Sequence, residues 1–336
     1  MQHPDYLERD VISAVREFAS SIRPGSKFVN DMSFLVVVTS LLPLSNLDYW
    51  ERLIRSEYSS ELGFSNSPEW KIWPKSAEFL TWLDLISWDG YKREKTLRTI
   101  AGGAPNSFFF SLALRRLNDW VPQVRAAARE KLPGIVKETD PVHVVDALCV
   151  TLSYWNSWGR IEKAGRQVLL EIISKREMVQ ALKSKIISST SGPMASLMMQ
   201  VGRTPVFDEH LSEIANNAVQ PSVRARVYRS LLEGRMVWVE GRKWEWTDIK
   251  YCKGKFQAVV GEREIEVALP FIVLLQKSAD DPSSIVRRVA AEFLIRELNT
   301  LGNESFELAS RFASDKSYAV AERGRFALAK LGKVKA

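Results

Sequence analysis

Cysteine and histidine are scarce in this chain of 336 residues, which has only Cys149, Cys252, His3, His143 and His210. The two cysteines are 103 positions apart, so neither a disulfide framework nor a CxxC metal or redox motif can form. Three scattered imidazoles leave no His-rich metal set. Long apolar runs are missing as well. The most apolar, Phe34 to Leu44, has 11 residues and includes Thr39, Ser40 and Pro43, against the ~20 that a spanning helix needs; it is expected as a buried helix. The opening MQHPDYLERD carries charges where a secretory signal would need an apolar core. A cytoplasmic protein with no membrane partner is therefore expected. No Gly-x4-Gly-Lys-Ser/Thr, strand-linked GxGxxG or GxSxG sequence occurs, so no cofactor is expected and catalysis has no local motif. His143 and Asp146, one helical turn apart, are read as a structural histidine and its neighbour rather than a general base.

What is present is ordinary globular stuff, 46% hydrophobic and 26% charged, which excludes whole-chain disorder. The 47 Lys and Arg against 40 Asp and Glu give +7. That excess is uneven: residues 1–107 hold 12 cations and 14 acids, residues 108–336 hold 35 and 26.

Self-similarity organises the second part. PQVRA at Pro122–Ala126 returns as PSVRA at Pro221–Ala225, 99 residues on, which is three periods of 33. Further copies lie at Asp281-Pro282 with Val286-Arg287 and at Asp315 with Val320-Ala321. The step from Val223 to Val286 is 63 residues and regains the period once Arg235–Val267 is removed. That stretch alternates apolar and aromatic residues with turn signals at Glu240-Gly241, Lys253-Gly254 and Gly261-Glu262, which predicts a β-meander or pair of hairpins inserted between helices. Pro122 and Pro221 suit first helical turns, and the apolar spacing behind them predicts the second helices of helical hairpins. The first helices are expected over Ser107–Leu117, Asp208–Ala218, Leu269–Ser278 and Glu304–Ala313. Two degenerate units are expected between, at Val142–Tyr154 with Arg160–Ile173 and at Met178–Ile187 with Pro193–Val201.

A turn Asp, a Val-Arg pair six residues on, small residues and then Leu is a pattern that resembles the HEAT-repeat family, most clearly in Asp119 with Arg125 and Asp281 with Arg287. The resemblance covers roughly residues 107–332. It implies an all-α fold, an α-α superhelix in which turn Asp and helix Arg form a ladder between repeats. The copy at Arg224 departs with Ala218 in place of Asp, and the last copy with Ala321 in place of Arg. The expected organisation is a helical N-terminal cap over 1–106 and a solenoid over 107–336 with the β-rich insertion at 235–267. Within the cap, helices are expected at Asp5–Ile22, Asp31–Leu42, Leu47–Ser60 and Lys75–Thr99, with Trp70, Trp73, Trp82 and Trp88 as core.

Basic and aromatic residues are the remaining functional signal. Arg125, Arg224 and Arg287 are read as scaffold, whereas Arg226, Arg229, Arg288 and Arg296 are candidates for a basic groove. In the insertion, Trp238, Trp244 and Trp246 interleave with Arg242 and Lys243, which suits base stacking or a protein hot spot, or else packing onto the helices. Trp155, Trp158 and Arg160 form a further group. Some HEAT-like proteins are DNA glycosylases that use tryptophans, an arginine and an aspartate; Trp155, Trp158, Arg160 and Asp146 resemble that set without a residue-by-residue motif, so no catalysis is transferred. The expectation is a non-enzymatic scaffold for another protein, with nucleic-acid binding as the alternative.

Overall fold

The computed structural model describes residues 4–22, 31–62 and 80–334. It is mostly helical with one two-stranded antiparallel sheet, and it divides into two compact units, Met1–Met178 and Val179–Ala336. The first holds α1 (Pro4–Ser21), α2 (Ser33–Ser40), α3 (Leu47–Glu61), α4 (Gly90–Thr99), α5 (Ser107–Arg115), α6 (Pro122–Glu138), α7 (Pro141–Tyr154) and α8 (Lys163–Ile173). The boundary falls in α9 (Arg176–Ser188), and the second unit continues with α10 (Met194–Val201), α11 (Leu211–Asn217) and α12 (Pro221–Glu233). There follow β1 (Arg235–Asp248), β2 (Lys253–Glu264), α13 (Phe271–Ala279), α14 (Ser284–Arg296), α15 (Asn303–Ala313) and α16 (Tyr318–Val334). Among the described residues no helix is long and apolar enough to cross a membrane.

Local chemistry sets the helix starts. Proline opens α6, α7 and α12, where its missing N–H costs nothing. Asn106 caps α5 by accepting from Phe109 N–H, and Asp89 caps α4 by accepting from Tyr91 N–H. The expected Lys75–Thr99 helix is not continuous. A capping box between Thr81 and Asp84 starts a 3-10 turn at Trp82–Ile86, and Asp89 starts α4 afresh. Trp70, Trp73 and the start of that expected helix lie outside the described residues. Trp82 is core as expected, but Trp88, 69% exposed, is not. The Phe34–Leu44 run is buried on one face only: Leu35, Val38 and Leu42 are inside while Phe34, Val37 and Leu41 face out.

Four arginines repeat one geometry. Arg93 donates through one terminal nitrogen to the carbonyls of Ser87 and Trp88, and through Nε and the other nitrogen to both oxygens of Asp119 at 2.9 and 2.7 Å. Arg125 donates likewise to the carbonyls of Asp119 and Trp120, while its Nε and other terminal nitrogen both meet one oxygen, Oε1, of Glu162. In the second unit Arg224 joins Ala218 and Val219 to Asp281, and Arg287 joins Asp281 and Pro282 to Asp315. A guanidinium suits this because its planar donors can close a turn's orphan carbonyls on one edge and grip a carboxylate on the other.

The insertion is a single hairpin, not a meander. Its turn lies between Asp248 and Lys253, and two of the expected turn glycines sit inside the strands opposite indoles, Gly261 facing Trp238 and Gly254 facing Trp246. A Cβ at Gly254 would lie 2.5 Å from the Trp244 ring, and one at Gly261 2.5 Å from Trp238 Nε1. Those glycines make room for cross-strand indoles, and Gly241 marks a register shift.

Candidate functional site: an arginine and tryptophan cleft

The ladder places tryptophans in register. Trp88 and Trp120 stand five residues before Arg93 and Arg125, and each gives its carbonyl to that arginine. Their indoles point outward from successive turns, 69% and 76% exposed. Each carries a guanidinium: Arg55 lies 4.6 Å from the Trp88 ring centre and Arg160 3.3 Å from that of Trp120. Arg160 is held there by its own N–H, which donates to Asn118 Oδ1 at 2.8 Å. Trp158 closes the group, and the three indoles border a cleft of about 650 Å³.

Charge fills the floor. Arg116 donates to Glu51 at 2.9 Å and to Asp119 at 3.1 Å, and its Nε has no hydrogen-bond partner among the described residues. Arg55 reaches Glu51 at 2.6 Å and Arg115 approaches the same carboxylate at 3.3 Å; Arg115 also pairs with Asp48. Five arginines (Arg55, Arg93, Arg115, Arg116, Arg160) thus line the cleft against two carboxylates. Burial pushes the Asp119 carboxyl up, but hydrogen bonds from Arg93 and Val121 N–H, with the charges of Arg116 and Arg93, hold it below the ordinary carboxylate value. Glu51 follows the same logic: burial raises it, and Arg116, Arg115 and Arg55 outweigh burial. Burial lowers Arg116, against the pull of Glu51 and Asp119.

Compared with known proteins, the chain matches no family model, no curated protein and no solved structure. The site is therefore read from its own groups.

Of the residues singled out in the sequence, Trp158 and Arg160 line this cleft. Trp155 does not. It is 1% exposed and belongs to the core, which corrects its place among the binding residues. Asp146, on α7, is not part of the cleft wall, and His143 Nδ1 meets Ser107 Oγ at 3.2 Å. The expected basic groove of the second unit is largely neutralised. Arg229 binds Glu292 at 2.5 Å, Arg288 approaches the same Glu292 at 3.8 Å, and Arg296 binds Glu233 at 3.3 Å while lying over the Phe293 ring. Arg226 is exposed. On the hairpin, Trp244 and Trp246 share a face as expected, packed edge-to-face at 5.5 Å, with Phe256 at 4.9 Å from Trp244. That face does not pack onto helices: all three rings are exposed. Trp238 instead lies near the base, its Nε1 donating to Glu240 and Arg203 over its ring.

Missing from the sequence reading were Trp88 and Trp120 as surface groups and Arg55, Arg93, Arg115 and Arg116 as lining. One signal could have found the first pair. Trp88 precedes Arg93 by the same five positions that separate Trp120 from Arg125. Among the described residues no cluster of three or more His, Cys, Asp or Glu could hold a metal.

Proposed function

We propose that the chain is a non-enzymatic HEAT-like repeat protein that binds nucleic acid in the arginine and tryptophan cleft. The observation that carries this reading is the pairing of exposed indoles with guanidinium groups above a floor of excess positive charge. Nucleic acid offers the complements of both, phosphates for the arginines and flat bases for the indoles. The arginine and carboxylate rungs, two in each unit, are what support the HEAT-like part of the proposal. Asp119 is used for binding and not as a general base. Asp119 accepts from Arg93, Arg116 and Val121 N–H, so no oxygen of it is left to activate water.

The test is fluorescence anisotropy of a labelled single-stranded oligonucleotide over a salt series. Affinity is expected to fall linearly in log salt with a slope of about −0.7 per neutralised phosphate, and Trp120→Ala is expected to cost about 1–3 kcal/mol of binding. No binding at low salt ends the reading. A scaffold function toward another protein is the second reading, favoured by the way these arginines already grip carboxylates. It commits the cleft to an acidic peptide with an aromatic side chain, and competition between such a peptide and the oligonucleotide separates the two.

A further inference from the structure

The hairpin is anchored at its base and bare beyond it. Met236 is fully buried against Gly202, Ile265 N–H donates to Gly234 O at 3.0 Å, and Arg263 grips both oxygens of Asp208 together with the carbonyls of Gly202 and Thr204. Gln200 and Arg203 donate to Val239 O at 3.3 and 2.9 Å. From Gly241 to Val260 every residue is exposed or half-exposed. A two-stranded ribbon of this kind buries too little to be stable alone, yet its outer part carries large apolar groups. Trp244, Trp246 and Phe256 form an edge-to-face knob on one side, and Ile249 and Tyr251 stand in the turn beyond both strands, 78% and 64% exposed.

Three features select what covers this knob. The segment Arg242–Lys255 holds five cations, Arg242, Lys243, Lys250, Lys253 and Lys255, against Glu245 and Asp248, so two copies would repel and an anionic surface is favoured. The three rings are mutually inclined at 87° and 71°, which makes a knob and not the row of parallel platforms that successive bases need. Finally, a peptide lying on the Trp244 face would leave Ile249 and Tyr251 uncovered, whereas a bilayer interface receives a tip from all sides. Trp and Tyr settle at headgroup depth, and Lys stems extend along apolar surface while their ammonium groups reach phosphate. We propose that the hairpin tip docks on an anionic lipid surface, with Trp246, Ile249, Tyr251 and Phe256 entering the interface and Lys250, Lys253 and Lys255 meeting acidic headgroups. This attachment needs no spanning helix and is independent of the cleft.

The test is co-sedimentation of the full chain with phosphatidylcholine vesicles with and without phosphatidylserine. Binding is expected only with phosphatidylserine, weakened about fivefold by each of Lys250→Gln and Lys253→Gln and abolished by Trp246→Ser with Ile249→Ser, while the far-UV circular dichroism of each variant stays that of the parent. Equal binding to both vesicle types, or binding indifferent to the tip substitutions, overturns the proposal. So does an oligonucleotide, rather than vesicles, responding to those substitutions. Loss of vesicle binding on Trp120→Ala with the tip variants silent would move the surface to the cleft and also overturn it.

Discussion

Asp119 accepts from Nε and one terminal nitrogen of Arg93, from Arg116 and from Val121 N–H while almost wholly buried. Removing its charge leaves the buried Arg93 with no carboxylate and Arg116 with Glu51 alone, and breaking such a pair from one side costs about 3–5 kcal/mol. Asp119→Asn is therefore expected to lower the urea midpoint of the first unit far more than a change at Glu162, whose carboxylate is half in solvent. The pH dependence has a definite sign. Asp119 and Glu51 are held below their ordinary values in the fold, so the stability they contribute is complete above about pH 4, where the unfolded carboxyls ionise. It is lost as pH falls through their lower folded values. An acid titration followed by circular dichroism should show the parent losing stability below that point and Asp119→Asn with a flatter profile. The family resemblance implied rungs of turn Asp and helix Arg: Arg287 does pair with Asp315, but the carboxylate at Arg125 is Glu162 and not a turn Asp. Arg93 escaped that reading because its own turn carries Ser87-Trp88 in place of Asp, although its guanidinium behaves like the others.

At the scale of elements, close approach of backbones is what Gly324 of α16 permits. A Cβ on Gly324 would lie 2.1 Å from Ala313 N and 2.4 Å from the carbonyl carbon of Phe312, so α16 crosses the end of α15 with no space for a methyl. Gly324→Ala gains helix propensity but must push the two helices apart, an overpacking cost of about 1–3 kcal/mol; a lower thermal midpoint checks it, and an unchanged or raised one contradicts it. Helices whose starts are written in Pro122 and Pro221 were legible, because proline suits the first turn. The break between Trp82 and Gly90 was not, since apolar spacing runs through it and only the side-chain caps of Thr81, Asp84 and Asp89 interrupt the helix. Alternation predicted strands over 235–267, but Gly-containing pairs were read as turns when Gly254 and Gly261 instead yield space to indoles across the ribbon. Trp155 was drawn to the surface by its neighbours Trp158 and Arg160; burial is a property of the packed helices, and sequence adjacency does not encode it.

Over the whole molecule, the two units carry different kinds of exposed chemistry, a polar cleft in Met1–Met178 and an apolar-tipped ribbon in Val179–Ala336. Net charge alone did not locate either. The groove expected from the arginines of the second unit is spent on Glu233 and Glu292, whereas the cleft lies in the half whose sequence is less basic. Because the helices hold the strand at Val239 and the ribbon from Gly241 to Val260 buries no residue, excising Glu240–Val259 and joining Val239 to Val260 with Asn-Gly should leave helical circular dichroism intact and the melting midpoint within about 3 °C. A collapse of the helical signal would show the outer ribbon to be structural.

The single hydrogen bond between Ile265 and Gly234 has one more consequence. It brings the inserted segment in and out of the helical chain at one point, and the rung from Arg224 to Asp281 links the helical chain on either side of it across 57 positions. Loop-closure entropy grows only by about 0.6 kcal/mol per doubling of length. The gap between α12 and α13 is thus a socket: with the base kept, Met236 and Arg263 included, any small domain whose two ends lie side by side can replace the ribbon beyond Val239 and Val260 at little thermodynamic cost to the helices on either side.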